Sequence, residues 1–177
     1  MDTFEILSQL CSAAGVSGAE GSAAEAAAKL LEEYGEVTLD NALGSVICKV
    51  GSWEDGKPVM LLDAHIDEIG MIVTYITEDG FLKISGCGGL DTRLLLAQQV
   101  TVYGKEKLTG IVTSTPPHLE KDSSDAPELD SVFIDIGFTS RENAAKYVSL
   151  GDRVLIENKA ERLAGSRVTS KAIDDRS

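Results

Sequence analysis

The texture of the chain changes near residue 69 and changes back near residue 158. Between those points, short runs rich in β-branched and aromatic residues follow one another at 71–77, 81–85, 99–103, 108–113, 132–136 and 153–157. Turn residues separate them, and Glu78-Asp79-Gly80 reads as the bend of a hairpin. One helix fits this stretch, 141–147, capped by Thr139 with Glu142 three residues on. Residues 116–130 are polar and hold three of the four prolines, the signature of an exposed loop. Six short strands at this spacing have few ways to bury their apolar faces, and a small barrel or sandwich is the expected one.

The flanks read differently. Phe4, Leu7, Leu10, Cys11 and Ala14 recur at helical spacing, with Asp2 as a candidate cap and Gly15 as a stop. Ser22 and Glu25 form a capping box, predicting a helix through Leu30, Leu31 and Tyr34 that ends at Gly35. Two short strands are expected at 36–40 and 45–50, joined by a turn at 41–44. Val59-Met60-Leu61-Leu62 is a continuous apolar run, which predicts a strand buried on both faces in the middle of an α/β sheet. After Gly165 the chain turns towards Val168 and Lys171. The expected fold class is therefore α/β, with an inserted small β-barrel at 69–163. The α/β part takes 1–68 and 164–177, and its sheet is expected to stop short after Ser177.

Charge removes several function classes. The net charge is −13 with no Lys/Arg run, whereas nucleic acid and anionic membranes both require a basic footprint. No apolar run approaches the roughly 20 residues of a membrane span. The acidic start, Met1-Asp2-Thr3-Phe4-Glu5, lacks the basic character of a signal peptide. Cys11, Cys48 and Cys87 are odd in number and far apart, as expected of reduced thiols in a cytoplasmic protein.

Two places could carry chemistry. Asp63-Ala64-His65-Ile66-Asp67-Glu68 follows the apolar run directly. Residues two apart on a strand face the same way, so His65 and Asp67 are expected side by side where ligands of open α/β sheets collect. Histidine binds a divalent metal through one ring nitrogen, while a carboxylate on the other fixes the tautomer. Taken alone, His-x-Asp also describes a surface histidine near acids. Asp174-Asp175, near the end of the chain, reads either as two solvated acids or as a carboxylate bridging two metals. Gly86-Cys87-Gly88-Gly89 lacks the lysine of a phosphate loop and reads as a turn. Pro116-Pro117-His118 reads as a rigid turn with a surface histidine. There is no Gly-x-Ser-x-Gly elbow.

Together these stretches resemble the tetrahedral aminopeptidases, also known as glutamyl aminopeptidases or endoglucanase-M-like proteins. The resemblance runs in order through Gly15-Val16-Ser17-Gly18, Asn41-Ala42-Leu43-Gly44, residues 63–70, Gly88-Gly89-Leu90-Asp91, Thr115-Pro116-Pro117-His118, Phe133-Ile134-Asp135-Ile136-Gly137 and residues 170–176. Ser45 departs from the family's usual asparagine. The resemblance implies two divalent metal ions, zinc or cobalt or manganese, and hydrolysis of peptides with a free N-terminus by a metal-activated water. It implies that His65 and Asp174 are metal ligands, Asp174 bridging. Asp67 would be the catalytic carboxylate that orients His65, with Asp175 beside the ligands. It also implies that the inserted barrel helps to build a homo-oligomer. In the family a Glu-Glu pair, another Asp and a late His follow downstream; this chain holds only His65 and His118. The expectation is an aminopeptidase whose site this chain carries in part and does not turn over alone. The alternative is an inactive assembly or regulatory fragment.

Overall fold

The computed structural model describes residues 2–40, 42–114 and 127–177. The landmark at 115–118, with His118, lies outside them.

Helix α1, Thr3–Ser12, forms where the apolar spacing predicts it. The Asp2 N–H donates to Glu5 Oε2 at 3.2 Å, closing the first turn. Helix α2, Gly21–Leu31, starts earlier than the Ser22 box implies. Ala24 N–H already donates to the Glu20 carbonyl at 2.9 Å, so Ser22 lies inside the helix rather than at its cap. The Glu20 carboxylate instead accepts from the Gly18 N–H. Small residues Ala23, Ala24 and Ala28 make the buried face of α2. Strands β1 (Glu36–Leu39) and β2 (Val46–Lys49) then pair antiparallel, with Asp40 accepting from the Ala42 and Leu43 N–H groups at the bend.

Val59–Met60–Leu61–Leu62 forms no strand, contrary to its apolar pattern. These side chains are 61–87% exposed. A doubly buried strand needs a partner on each side, and among the described residues nothing pairs with this run. A single parallel bridge between Val16 and Glu68 is the one isolated pairing nearby.

At Ile69 the barrel begins. Strands β3 (Gly70–Ile76), β4 (Leu82–Cys87), β5 (Gln99–Tyr103), β6 (Lys107–Ser114), β7 (Val132–Asp135) and β8 (Arg153–Ile156) close in the order β3-β4-β7-β6-β5-β8. Every neighbouring pair is antiparallel, and β8 returns to β3. Alternation selects the interior: Val100 and Val102, Val132 and Ile134, and Met71 and Val73 are buried while their neighbours face outward. Val112 and Leu82 both stand opposite Ile134, and Val102 and Met71 both stand opposite Val154, so side chains from facing strands fill the centre. Gly110 completes the fit, because a Cβ there would come within 2.6 Å of Ile134 Cγ2. A single-turn helix α3, Arg141–Ala144, follows β7; Ser140, not Thr139, caps it by accepting from Asn143 N–H at 3.3 Å.

Past the barrel come β9 (Glu161–Arg162), β10 (Val168–Thr169) and the short α4 (Ile173–Arg176). The chain divides into two compact units, 1–68 with 158–177, and 69–157. The return to the first unit thus comes before residue 164. Glu161–Arg162 pairs with Val168–Thr169, and Arg162 hydrogen-bonds Asp2. The α/β sheet expected of this unit is not assembled among the described residues: β1–β2 and β9–β10 are separate two-stranded ladders. All three cysteines are free. No helix among the described residues is long and apolar enough to cross a membrane.

Candidate metal centre

The first unit brings His65, Asp67 and Asp174 together. His65 Nδ1 lies 3.1 Å from Asp67 Oδ1, and its Nε2 lies 3.2 Å from Asp174 Oδ1. The imidazole is therefore flanked on both nitrogens by carboxylates, one near in sequence and one distant. His65 and Asp67 meet without the strand that the sequence predicts beneath them. Asp174 departs from helical geometry inside α4, with φ −90° and ψ 109°, and follows Ala172 in the left-handed region. Its side chain is 97% exposed, and that of His65 is 54% exposed. Both can meet a solute ion without rearranging a core.

The local register explains why Asp67 points as it does. Glu68 N–H donates to the Gly15 carbonyl at 2.9 Å, laying residues 15–17 alongside 67–68. Ser17 Oγ then donates to Asp67 Oδ2. With one oxygen held by Ser17, the other is left for His65. Ser17 is a site residue that sequence reasoning missed; its one trace is its place in the Gly15–Gly18 turn. An open cavity of about 610 Å³ in this unit is lined by His65, Asp67 and Asp175 on its polar side and by Leu10, Ala27 and Leu31 on its apolar side.

The electrostatics follow from these contacts. The hydrogen bond to Asp174, reinforced by Asp67, raises the His65 pKa above its ordinary 6.5. The Ser17 hydroxyl, and after it the His65 charge, holds Asp67 below the usual carboxylate range. Burial pushes the Cys11 thiol up, consistent with a packing residue rather than a nucleophile.

The donor set can be tested against a divalent metal. Two ligand atoms each about 2.1 Å from one tetrahedral ion stand about 3.4 Å apart. The 3.2 Å between His65 Nε2 and Asp174 Oδ1 is close to that separation. Imidazole with carboxylate suits zinc, cobalt or manganese. A catalytic zinc takes three protein ligands, yet among the described residues no group of three His, Cys, Asp or Glu surrounds one point. The residues present fit part of a centre, not a whole one.

The fold is of the aminopeptidase class. The chain matches an aminopeptidase from the archaeon Desulfurococcus kamchatkensis with TM-score 0.88 and 32% identity, covering 98% of this chain and 48% of that one. It matches the TET1 peptidase of Pyrococcus horikoshii, described as assembling into a tetrahedron or a large octahedral shell, with TM-score 0.86 and 32% identity over 99% of this chain and 52% of that one. In sequence it is 28% identical over 182 residues to the lysyl aminopeptidase of Pyrococcus furiosus, covering 99% of this chain and 52% of that protein. Residues 44–177 match the family model of the M42 glutamyl aminopeptidases, and the chain belongs to that family. It spans about half the length of the curated relatives it matches.

Proposed function

We propose that this chain carries part of the active site of an aminopeptidase that removes N-terminal residues from peptides with a free amine. The observation that carries the reading is the 3.2 Å approach of His65 Nε2 to Asp174 Oδ1, between residues far apart in sequence, in a chain of this family. His65 would hold one divalent ion through Nε2 and Asp174 would bridge to a second. When bound, such ions supply Lewis acidity, lowering the pKa of water from 15.7 towards about 7 and polarising a carbonyl. Asp67 accepts a hydrogen bond from Nδ1–H, which favours the tautomer whose Nε2 lone pair is free. Ser17 stops Asp67 from rotating away. The general base and the remaining ligands are not among these residues, so the chain alone is inert towards peptides. The barrel at 69–157 serves assembly into a homo-oligomer, supported by the shells described for the TET1 peptidase. The protein works in the cytoplasm.

The ligand count favours a second reading, a non-catalytic assembly or regulatory fragment of such an enzyme. One experiment separates them. Zinc and cobalt binding are measured by calorimetry, and hydrolysis is followed on peptide anilides with free or acetylated amines. The chain alone is expected to bind metal weakly, through His65 and Asp174, without turnover. Co-expressed with the half of a relative that it does not match, it is expected to cut only the free-amine substrates. A complex that assembles but stays inert supports the second reading. Two tightly bound ions on the chain alone would overturn the partial-site reading.

A further inference from the structure

Beside the site lies a buried ionic cluster that the chemistry above does not use. The Glu68 side chain is 3% exposed, that of Arg176 1% and that of Lys171 9%. Lys171 Nζ lies 2.8 Å from each Glu68 oxygen, and Glu68 Oε1 also accepts from the Gly15 N–H at 2.9 Å. Arg176 Nη2 pairs with the same carboxylate at 3.5 Å without a hydrogen bond. The rest of the guanidinium is tied to backbone: Nε donates to the Ile66 carbonyl at 2.7 Å, and Nη1 to those of Leu10 at 3.0 Å and Ala13 at 2.8 Å. Lys171 Nζ also reaches the Ala13 carbonyl at 3.2 Å.

The positions matter more than the number of bonds. Glu68 follows Asp67 directly. Lys171 and Arg176 bracket Asp174. Arg176 grips the carbonyl of Ile66, the residue between His65 and Asp67. The cluster thus fastens the segment that carries His65 and Asp67 to the segment that carries Asp174, through the end of α1. Burying three ions is costly, and apolar side chains of the same volume often hold segments together at least as well. What ions and carbonyls add is direction, since a guanidinium meets its acceptors in one plane and at fixed angles.

We infer that Glu68, Lys171 and Arg176 are positioning residues that set the His65–Asp174 separation and so build the metal site before any ion arrives. This rests on the reading of His65 and Asp174 as ligands, and the test keeps the two apart. The full 177-residue chain is titrated with Co²⁺ and followed by its visible absorption, with circular dichroism as the check on folding. Four proteins are compared: unchanged, His65→Ala, Glu68→Gln and Arg176→Lys. Arg176→Lys keeps the charge and loses the reach to three carbonyls. The expected result is Co²⁺ binding that His65→Ala abolishes. Each cluster variant, while folded, weakens that binding about tenfold or more and alters the absorption band, as loss of supporting contacts around metal ligands does. A role confined to stability would lower the melting temperature and leave the affinity and band of the folded protein unchanged; that result overturns the inference while the ligand reading stands. If Co²⁺ binding is absent, or is indifferent to His65→Ala, the ligand reading falls and takes the inference with it. Should Glu68→Gln not fold, Arg176→Lys decides.

Discussion

The two units of this chain are held together by opposite means. In the barrel every strand has a neighbour on both sides, and the interior is closed by Met71, Leu82, Val102, Val112, Ile134 and Val154, all essentially buried. Each such side chain contributes about 1.5–3 kcal/mol by leaving water. The unit that carries the site has little of this. Its ladders are two strands wide, and Val59, Met60, Leu61 and Leu62 are exposed. Its buried apolar residues are few and mostly small, Cys11, Val16, Ala23, Ala24 and Ala28, and beside them lies a polar network of Glu68, Lys171, Arg176 and three backbone carbonyls. Apolar packing fixes shape closely but carries no preferred bond direction. A network of ions and carbonyls fixes directions, which is what a pair of side chains meeting over one ion requires.

The largest expected effect is on the polar side of this contrast. Glu68→Ala leaves Lys171 and Arg176 buried without their anion and should cost about 3–5 kcal/mol, seen as faster amide hydrogen exchange throughout 1–68. If barrel amides lose protection equally, the two units do not answer separately and the contrast breaks. Next comes Leu82→Ala in the barrel, expected to cost about 3 kcal/mol through the cavity it opens; urea unfolding followed on barrel amides measures it.

A smaller effect concerns charge. The His65 pKa lies above 6.5 in the folded chain. Stabilisation from its pairing with Asp174 and Asp67 is therefore fully present below the unfolded value. It fades as the pH rises through the folded one. Asp174→Asn should bring the imidazole titration, read by NMR, back towards 6.5. An unchanged midpoint would mean that the 3.2 Å contact does not persist in solution. Protons also compete with metal up to that raised pKa, so metal affinity should climb as the imidazole is neutralised. Smallest in free energy is Leu61→Ser, within about 0.5 kcal/mol. Its signature is instead a fall in self-association by sedimentation, because the exposed run at 59–62 is an apolar patch. No change in association would show that the patch is idle.

How much of this was legible in the sequence follows the same division. The barrel was readable because its information is local: short runs of β-branched and aromatic residues such as 99–103 mark the strands, and Gly80 and its neighbours mark the first hairpin. Helix α1 was readable for the same reason. His65 beside Asp67 was legible as a spacing of two. The approach of Asp174 to His65 was not available from spacing and entered through family resemblance. Ser22 misled because its box pattern is real but Glu20 starts the helix first. The run at 59–62 misled because apolar character states what a segment prefers, not whether a partner strand is present. Ser17, Lys171 and Arg176 lie within landmark stretches, but no local pattern marked their contacts, since their partners are set by tertiary register.

Gly15 carries a further consequence. A Cβ at that position would stand 2.3 Å from Arg176 Nη2 and 2.9 Å from the Ala23 Cβ. The space next to its backbone is already taken by a side chain from the far end of the sequence, so the order of substitutions matters to any lineage of such chains. An alanine arriving at 15 first collides with the guanidinium; arriving after residue 176 has shortened, it still meets Ala23. Divergence at this point therefore comes at the expense of the guanidinium's place against Glu68 and the three carbonyls, unless neighbouring positions change with it.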